Sequence, residues 1–327
     1  MSNLARREHT RTELLLAAAI LVLAALSFRY AWLPHNPEAV LKDAADTWGL
    51  PVEDTARWFS NWALGDGQAY AIIATDPLAL QETELGFVGY RYGRAGFGWL
   101  AWVASLGQAE WVPYGLAVVG ALSLLGLFLL SWRLRPKLGA RAWIIVLNPA
   151  VMVAFATDTA EGLGLLLLTL AIASNSKWAS AALGLVRPSY LVAVARRPYL
   201  LASGLASAAT LWVVMSLRFG IELTPYGNAL DLPLTGYLAQ PSFGAAVIGV
   251  AGLWTLYRGV RQRDLSWVAA GLLVLCFSSI VLEDASNGWR AAGMIFVLWA
   301  FGPRYGDDEL GQSMEDSGRQ LRVSDGG

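Results

Sequence analysis

A succession of apolar runs, poor in charge and separated by short polar stretches, constrains this chain more than any other feature. Lipid offers no partner to backbone N–H and C=O groups, so a run of about 20 apolar residues crosses a bilayer as a helix. One run covers residues 14–32. Others follow at residues 111–132, 142–157, 162–174, 178–194, 199–217, 243–257, 265–282 and 289–301, several of them short for a full crossing. Only 15% of the residues are charged, against about 25% in soluble domains, and the mean hydropathy is +0.46. These features exclude a soluble globular enzyme and predict an all-α polytopic membrane protein. The net charge of −1 points to no nucleic acid or other polyanionic partner. The single cysteine, Cys276, cannot close an intrachain disulfide, and His9 and His35 are too scattered for a histidine metal cluster. A basic head (Arg6, Arg7, Arg11) precedes the first run, which is longer than a signal-peptide core and lacks a convincing cleavage site, so it is read as a retained first span.

Basic residues set the orientation. They cluster at Arg6/Arg7/Arg11, Arg133/Arg135/Lys137/Arg141, Arg196/Arg197 and Arg258/Arg261/Arg263. All four clusters lie in the cytoplasm if the run at 178–194 enters the membrane and returns. Arg187-Pro188 in its middle supplies the break. This topology has about eight full spans and a broken-helix hairpin whose halves meet near the outer surface, with both termini cytoplasmic. Abundant alanine and arginine suggest a bacterial inner (plasma) membrane. Residues 1–305 form a single transmembrane domain, and residues 306–327 are read as a disordered cytoplasmic tail. Outside lie a long loop at 35–110, a segment at 219–242, and the turns at 148–161 and 283–288.

The outer loop contains an amphipathic stretch at 51–64 suited to the lipid interface. Asp66 follows, between Gly65 and Gly67, and opens a helix predicted through Thr75. Asp66 reads either as a helix cap, worth about 1 kcal/mol, or as a carboxylate base near the membrane surface. The loop closes on Tyr90-Arg91-Tyr92-Gly93-Arg94. Arginines interleaved with tyrosines suit an anionic headgroup or lipid-linked phosphate; snorkelling anchors read equally well.

The stretch Asp66-Gly67-Gln68-Ala69-Tyr70-Ala71-Ile72-Ile73-Ala74 resembles the acidic loop element of the GT-C superfamily of membrane glycosyltransferases. Three further elements resemble family motifs in order: Tyr90 to Arg94, Leu147-Asn148-Pro149 with Thr157-Asp158-Thr159-Ala160-Glu161, and Gly184-Leu185-Val186-Arg187-Pro188-Ser189-Tyr190. The resemblance covers roughly residues 13 to 220. It implies a GT-C-like helical bundle, mannosyltransferase-like, that transfers a sugar with inversion from a polyprenyl-phosphate donor to a glycan, lipid or protein acceptor on the outer face. It further implies Asp66 as base, with Asp158 or Glu161 as a second acid orienting the acceptor. Arg91, Arg94, Arg187 and Arg290 are the implied phosphate-binding residues, with Tyr70 and Tyr90 in the substrate site. No D-x-D stands in the loop, so no cofactor is assigned and metal ligands are none; a divalent metal is left open. The H-P-P-L element of some branches is also absent. Two other functions remain compatible with the sequence: a transporter or flippase of a lipid-linked intermediate, and an inactive scaffold of the same fold.

Overall fold

The computed structural model describes residues 3–31, 66–80, 91–219, 230–283 and 285–303. The interfacial stretch at 51–64, Tyr90 and the tail at 306–327 lie outside the described residues. Among those described, no strand forms beyond an isolated bridge between Leu230 and Phe277. The α-helices are α1 (Asn3–Ala31), α2 (Asp66–Thr75), α3 (Gly96–Ala104), α4 (Val112–Leu138), α5 (Trp143–Val146), α6 (Pro149–Thr157) and α7 (Glu161–Ser174). They continue as α8 (Lys177–Val186), α9 (Pro198–Phe219), α10 (Thr235–Ala239), α11 (Phe243–Gln262), α12 (Leu265–Leu275), α13 (Ser279–Glu283) and α14 (Ala285–Phe301).

Four helical stretches are long and apolar enough to cross a membrane: Thr12–Ala31, Ala109–Val146, Pro198–Phe219 and Phe243–Gln262. They expose large apolar side chains, among them Leu23, Leu122, Leu217 and Val250, as lipid-facing helices do. The remaining apolar helices are shorter. Even α14, at 17 residues, is only about 25 Å long, less than a hydrocarbon core of about 30 Å.

Three of the apolar runs are interrupted. Residues 142–157 split at Asn148-Pro149: Asn148 Oδ1 accepts the N–H of Ala150 (2.9 Å) and Pro149 supplies the preset first helical residue of α6. Residues 265–282 split after Leu275, where the incoming chain takes the last carbonyls of α12. The N–H of Leu234 donates to Leu275 O (2.8 Å) and that of Asp231 to Cys276 O (2.7 Å). The expected break at Arg187-Pro188 is present. α8 stops at Val186, Arg187 is non-helical (φ −148°, ψ 75°), and a 3-10 segment (Pro188–Val194) runs on. Each leg is about 15 Å long at 1.5 or 2.0 Å per residue. Both legs are shorter than a hydrocarbon core of about 30 Å.

Arg135 pairs with Glu13 at the start of the apolar stretch Thr12–Ala31 of α1, whereas Arg29 near its end pairs with Asp158. Sixteen residues of helix separate the pairs, about 24 Å. Arg196, Arg197, Asp264 and Gly302 line one pocket, and a Cβ at Gly302 would stand 3.4 Å from Arg141 Nη1. The basic groups of α4, of the segment before α9 and of the α11–α12 turn thus gather at the end where α1 begins.

Small residues let the helices approach. A Cβ on Gly184 of α8 would lie 2.2 Å from the Gly204 carbonyl oxygen of α9. Beside it, Ser180 Oγ donates to Leu200 O (2.7 Å) and Ser207 Oγ to Ala181 O (2.5 Å). Close backbone approach and hydroxyl bonds are how helices associate where lipid removes the hydrophobic drive. Gly184→Leu is expected to cost about 1–3 kcal/mol through overpacking. This would be read as a lowered melting temperature in detergent, with Leu205→Met on the exposed face of α9 leaving it unchanged.

Candidate functional site

The site is built where α2, α3, α7, α14 and the Arg187 break meet. Glu161 is the first residue of α7 and its side chain is wholly buried. A carboxylate there complements the partial positive charge of a helix N-terminus, yet burial demands fuller compensation. Two arginines provide it: Glu161 Oε1 lies 2.9 Å from Arg290 Nη2 and 3.1 Å from Arg187 Nη2. Both arginine side chains are largely buried, at 8% and 13% exposure. Arg290 Nη1 also donates to Asn287 Oδ1 (3.1 Å). The other carboxylate oxygen, Oε2, and Arg187 Nε are buried without a hydrogen-bond partner among the described residues.

Glycines permit this convergence. A Cβ at Gly164 would stand 3.0 Å from Arg187 Cβ, and one at Gly293 would stand 2.9 Å from Tyr190 Oη. The fully buried Tyr190 donates its hydroxyl to Arg290 O (2.5 Å), while the Arg187 guanidinium lies 5.8 Å from the Tyr190 ring centroid. Asn148 Nδ2 donates to Gly293 O (2.7 Å), which docks the start of α6 on α14.

α3 brings the loop residues in. A Cβ at Gly96 would stand 2.7 Å from Val186 Cγ2, and one at Gly98 2.5 Å from Ile73 Cγ2. The helix is thus held against both α8 and α2. Tyr70 packs edge-on to Phe97 (5.2 Å between centroids). Arg94 and Tyr70 are close enough to act electrostatically on the Arg187 guanidinium. Arg187 and Arg290 therefore share a single carboxylate, with Arg94 near Arg187. Arg91 sits on the same turn, its carbonyl accepting the Arg94 N–H (3.2 Å), but it does not join the Glu161 pairs.

Asp66 opens α2, one helical turn before Tyr70. The far end of α2 is clamped by three side chains: Tyr92 Oη donates to Asp76 O (2.5 Å), Trp99 Nε1 to Pro77 O (2.8 Å), and Arg218 to the carbonyls of Leu78 and Ala79 (2.5 Å each). Burial, and then the neighbouring Asp76, push the Tyr92 phenol above its ordinary pKa, so it stays protonated as a donor at neutral pH.

Asp158 belongs to a separate pair. It ends α6 in the left-handed conformation (φ 51°), which turns the chain so that Asp158 and Glu161 reach different partners. Arg29 grips Asp158 with two bonds (2.9 and 3.2 Å), donates to Phe155 O (2.7 Å) and lies over the Phe155 ring. The sequence reading passed over Arg29 and Asn287, and gave Tyr190 only as the end of a resembling motif. The signal for Arg29 was available, since a lone cation late in an apolar run requires a buried partner.

Comparisons with protein-family models, with curated proteins and with solved structures find no match to this chain. Among the described residues, no group of histidine, cysteine, aspartate and glutamate side chains could hold a metal ion.

Removing one partner of a buried ion pair costs about 3–5 kcal/mol because the other charge is left uncompensated. Glu161→Gln is expected to lose that amount in detergent unfolding. Adding Arg290→Met should recover part of it, and a double-mutant cycle gives the coupling directly.

Proposed function

We propose that the chain is a GT-C-like membrane glycosyltransferase that moves a sugar from a polyprenyl-phosphate donor to an acceptor at the face opposite the basic end. The observation that carries this reading is the arginine excess around Glu161, recessed within the bundle beside a helix that begins with Asp66. A leaving polyprenyl phosphate requires buried, preoriented cations, and Arg187 and Arg290 offer them, with Arg94 nearby. Glu161 keeps Arg187 and Arg290 together and limits their mutual repulsion. In this role it is a positioning residue, because a carboxylate held by two guanidiniums is a weak base. Asp66 is the general base. It takes the acceptor hydroxyl proton as that oxygen attacks the anomeric carbon and the carbon–phosphate oxygen bond breaks, inverting the configuration.

The gathering of basic groups at one end supports a topology with both termini cytoplasmic, about eight crossings and the hairpin at Arg187-Pro188. The short helices reach full depth there by meeting a locally thinned bilayer or by snorkelling of their flanking residues. A bacterial plasma membrane remains the proposed location.

Reconstituted protein supplied with polyprenyl-phosphate sugars, mannose among them, should transfer sugar to acceptor. Asp66→Asn should lower turnover by about 10²–10⁴-fold while the melting temperature holds. Arg187→Lys should keep the ion pair but weaken use of the donor, as a rise in its KM. Transfer that survives Asp66→Asn at full rate removes Asp66 as the base. Wild-type protein inert with every donor points to a scaffold or a carrier of lipid-linked intermediates.

A further inference from the structure

The last turns of α11, one of the four helices long enough to span, carry charge that the proposed transfer does not use. At 20 residues the helix is about 30 Å long, the thickness of a hydrocarbon core. Arg258 and Arg261 therefore lie within about 6 Å of its end, where the core gives way to headgroups. Val250, Leu253 and Val260 are exposed along the same helix, which marks the face it turns to lipid. Trp254 and Tyr257, 51% and 52% exposed, stand on that face with ring centroids 5.9 Å apart.

Each of these rings has an arginine one turn further on. The Arg258 guanidinium lies 5.6 Å from the Trp254 ring centroid, and Arg261 Nη1 reaches Tyr257 Oη only at 3.5 Å, the outer limit of a hydrogen bond. The two i, i+4 pairs stand side by side because their rings are neighbours. Arg258 makes no hydrogen bond or ion pair among the described residues, and its Nε is buried without a partner. Arg261 is exposed and has no carboxylate partner among them. Arg263, the left-handed C-cap of the helix, adds a third exposed cation. Asp264, the next residue, is buried, caps α12 and pairs with Arg196. The contrast with α4 is direct: Arg135 also lies over a ring, that of Trp132 (5.8 Å), but Glu13 neutralises it within the protein. On α11 the protein supplies the rings and the cations and leaves out the anion.

We propose that this face of α11 binds the headgroup of an anionic phospholipid, with Arg258 and Arg261 holding its phosphodiester and Trp254 and Tyr257 packing against the glycerol and upper acyl chains. The lipid lies along the outside of the helix, so that its chains run past Leu253 and Val250 into the core. A cation at the edge of hydrocarbon is costly until an anion meets it, and basic groups at headgroup level attract anionic lipid. A zwitterionic lipid brings a cation with its phosphate and leaves the excess charge in place, whereas a lipid of net negative charge cancels it. Indole and phenol rings favour the same depth, apolar on one side and wet on the other.

The test uses the full chain in detergent, with retention of phosphatidylglycerol, phosphatidylcholine and inorganic phosphate followed by native mass spectrometry. Wild-type protein should retain phosphatidylglycerol in preference to phosphatidylcholine. Arg258→Gln and Arg261→Gln should each weaken that retention by about fivefold, and Arg258→Lys should keep most of it, which separates lost charge from lost folding. Trp254→Leu, which removes the ring beneath Arg258, should weaken it by about threefold. Arg133→Gln removes an exposed arginine of α4 from the same end of the bundle and should have no effect. Equal retention of the two lipids overturns the proposal. So does a loss in Arg133→Gln as large as that in Arg258→Gln, which would mean diffuse attraction to the basic end. Displacement of the lipid by inorganic phosphate at equal concentration assigns the arginines to a soluble anion and overturns the lipid assignment.

Discussion

The organisation of the bundle around α7 and α14 depends on one carboxylate. Glu161 is fully buried and faces Arg187 from the hairpin tip and Arg290 from α14. An isolated ion could not persist there, and the three charges are tolerable only together. The consequences extend outward from this pairing. Arg187 must leave its helix to reach Glu161, which fits the chain break before Pro188. Arg290 must approach α7, and Gly293, with no Cβ, lets Tyr190 and α6 pack against α14 at that level. The ion pairs thus specify which short helices meet in a bundle where apolar packing alone offers little selectivity.

Arg29 and Asp158 do comparable work for the first helix. α1 exposes much of its apolar surface and meets the bundle chiefly at α6. Ion pairs near its two ends set its register, Arg29 with Asp158 and Glu13 with Arg135, while Leu21 and Ala25 pack between them. The turn that separates Asp158 from Glu161 therefore serves two neighbours at once. One acid anchors the peripheral helix and the other assembles the arginines.

The sequence alone determined the class of the fold and much of its punctuation. Apolar runs with few charges can satisfy their backbone in lipid only as helices, and Asn148-Pro149 and Arg187-Pro188 act locally because proline lacks an N–H and fixes φ. A lone arginine within an apolar run also announces itself, because it must find a partner; Arg187 was legible on that ground, whereas Arg290, Asp158 and Glu161 were reached only through the family resemblance. Their pairing was not legible, since it joins residues more than a hundred positions apart. Tertiary structure alone decided that Glu161 takes both arginines while Asp158 turns to Arg29, through the left-handed backbone at Asp158. It decided that the apolar run after Asp264 ends at Leu275, because its last carbonyls are claimed by Asp231 and Leu234 from a distant segment. Local chemistry marks where a helix stops; which charge meets which depends on how closely the glycines let the backbones approach.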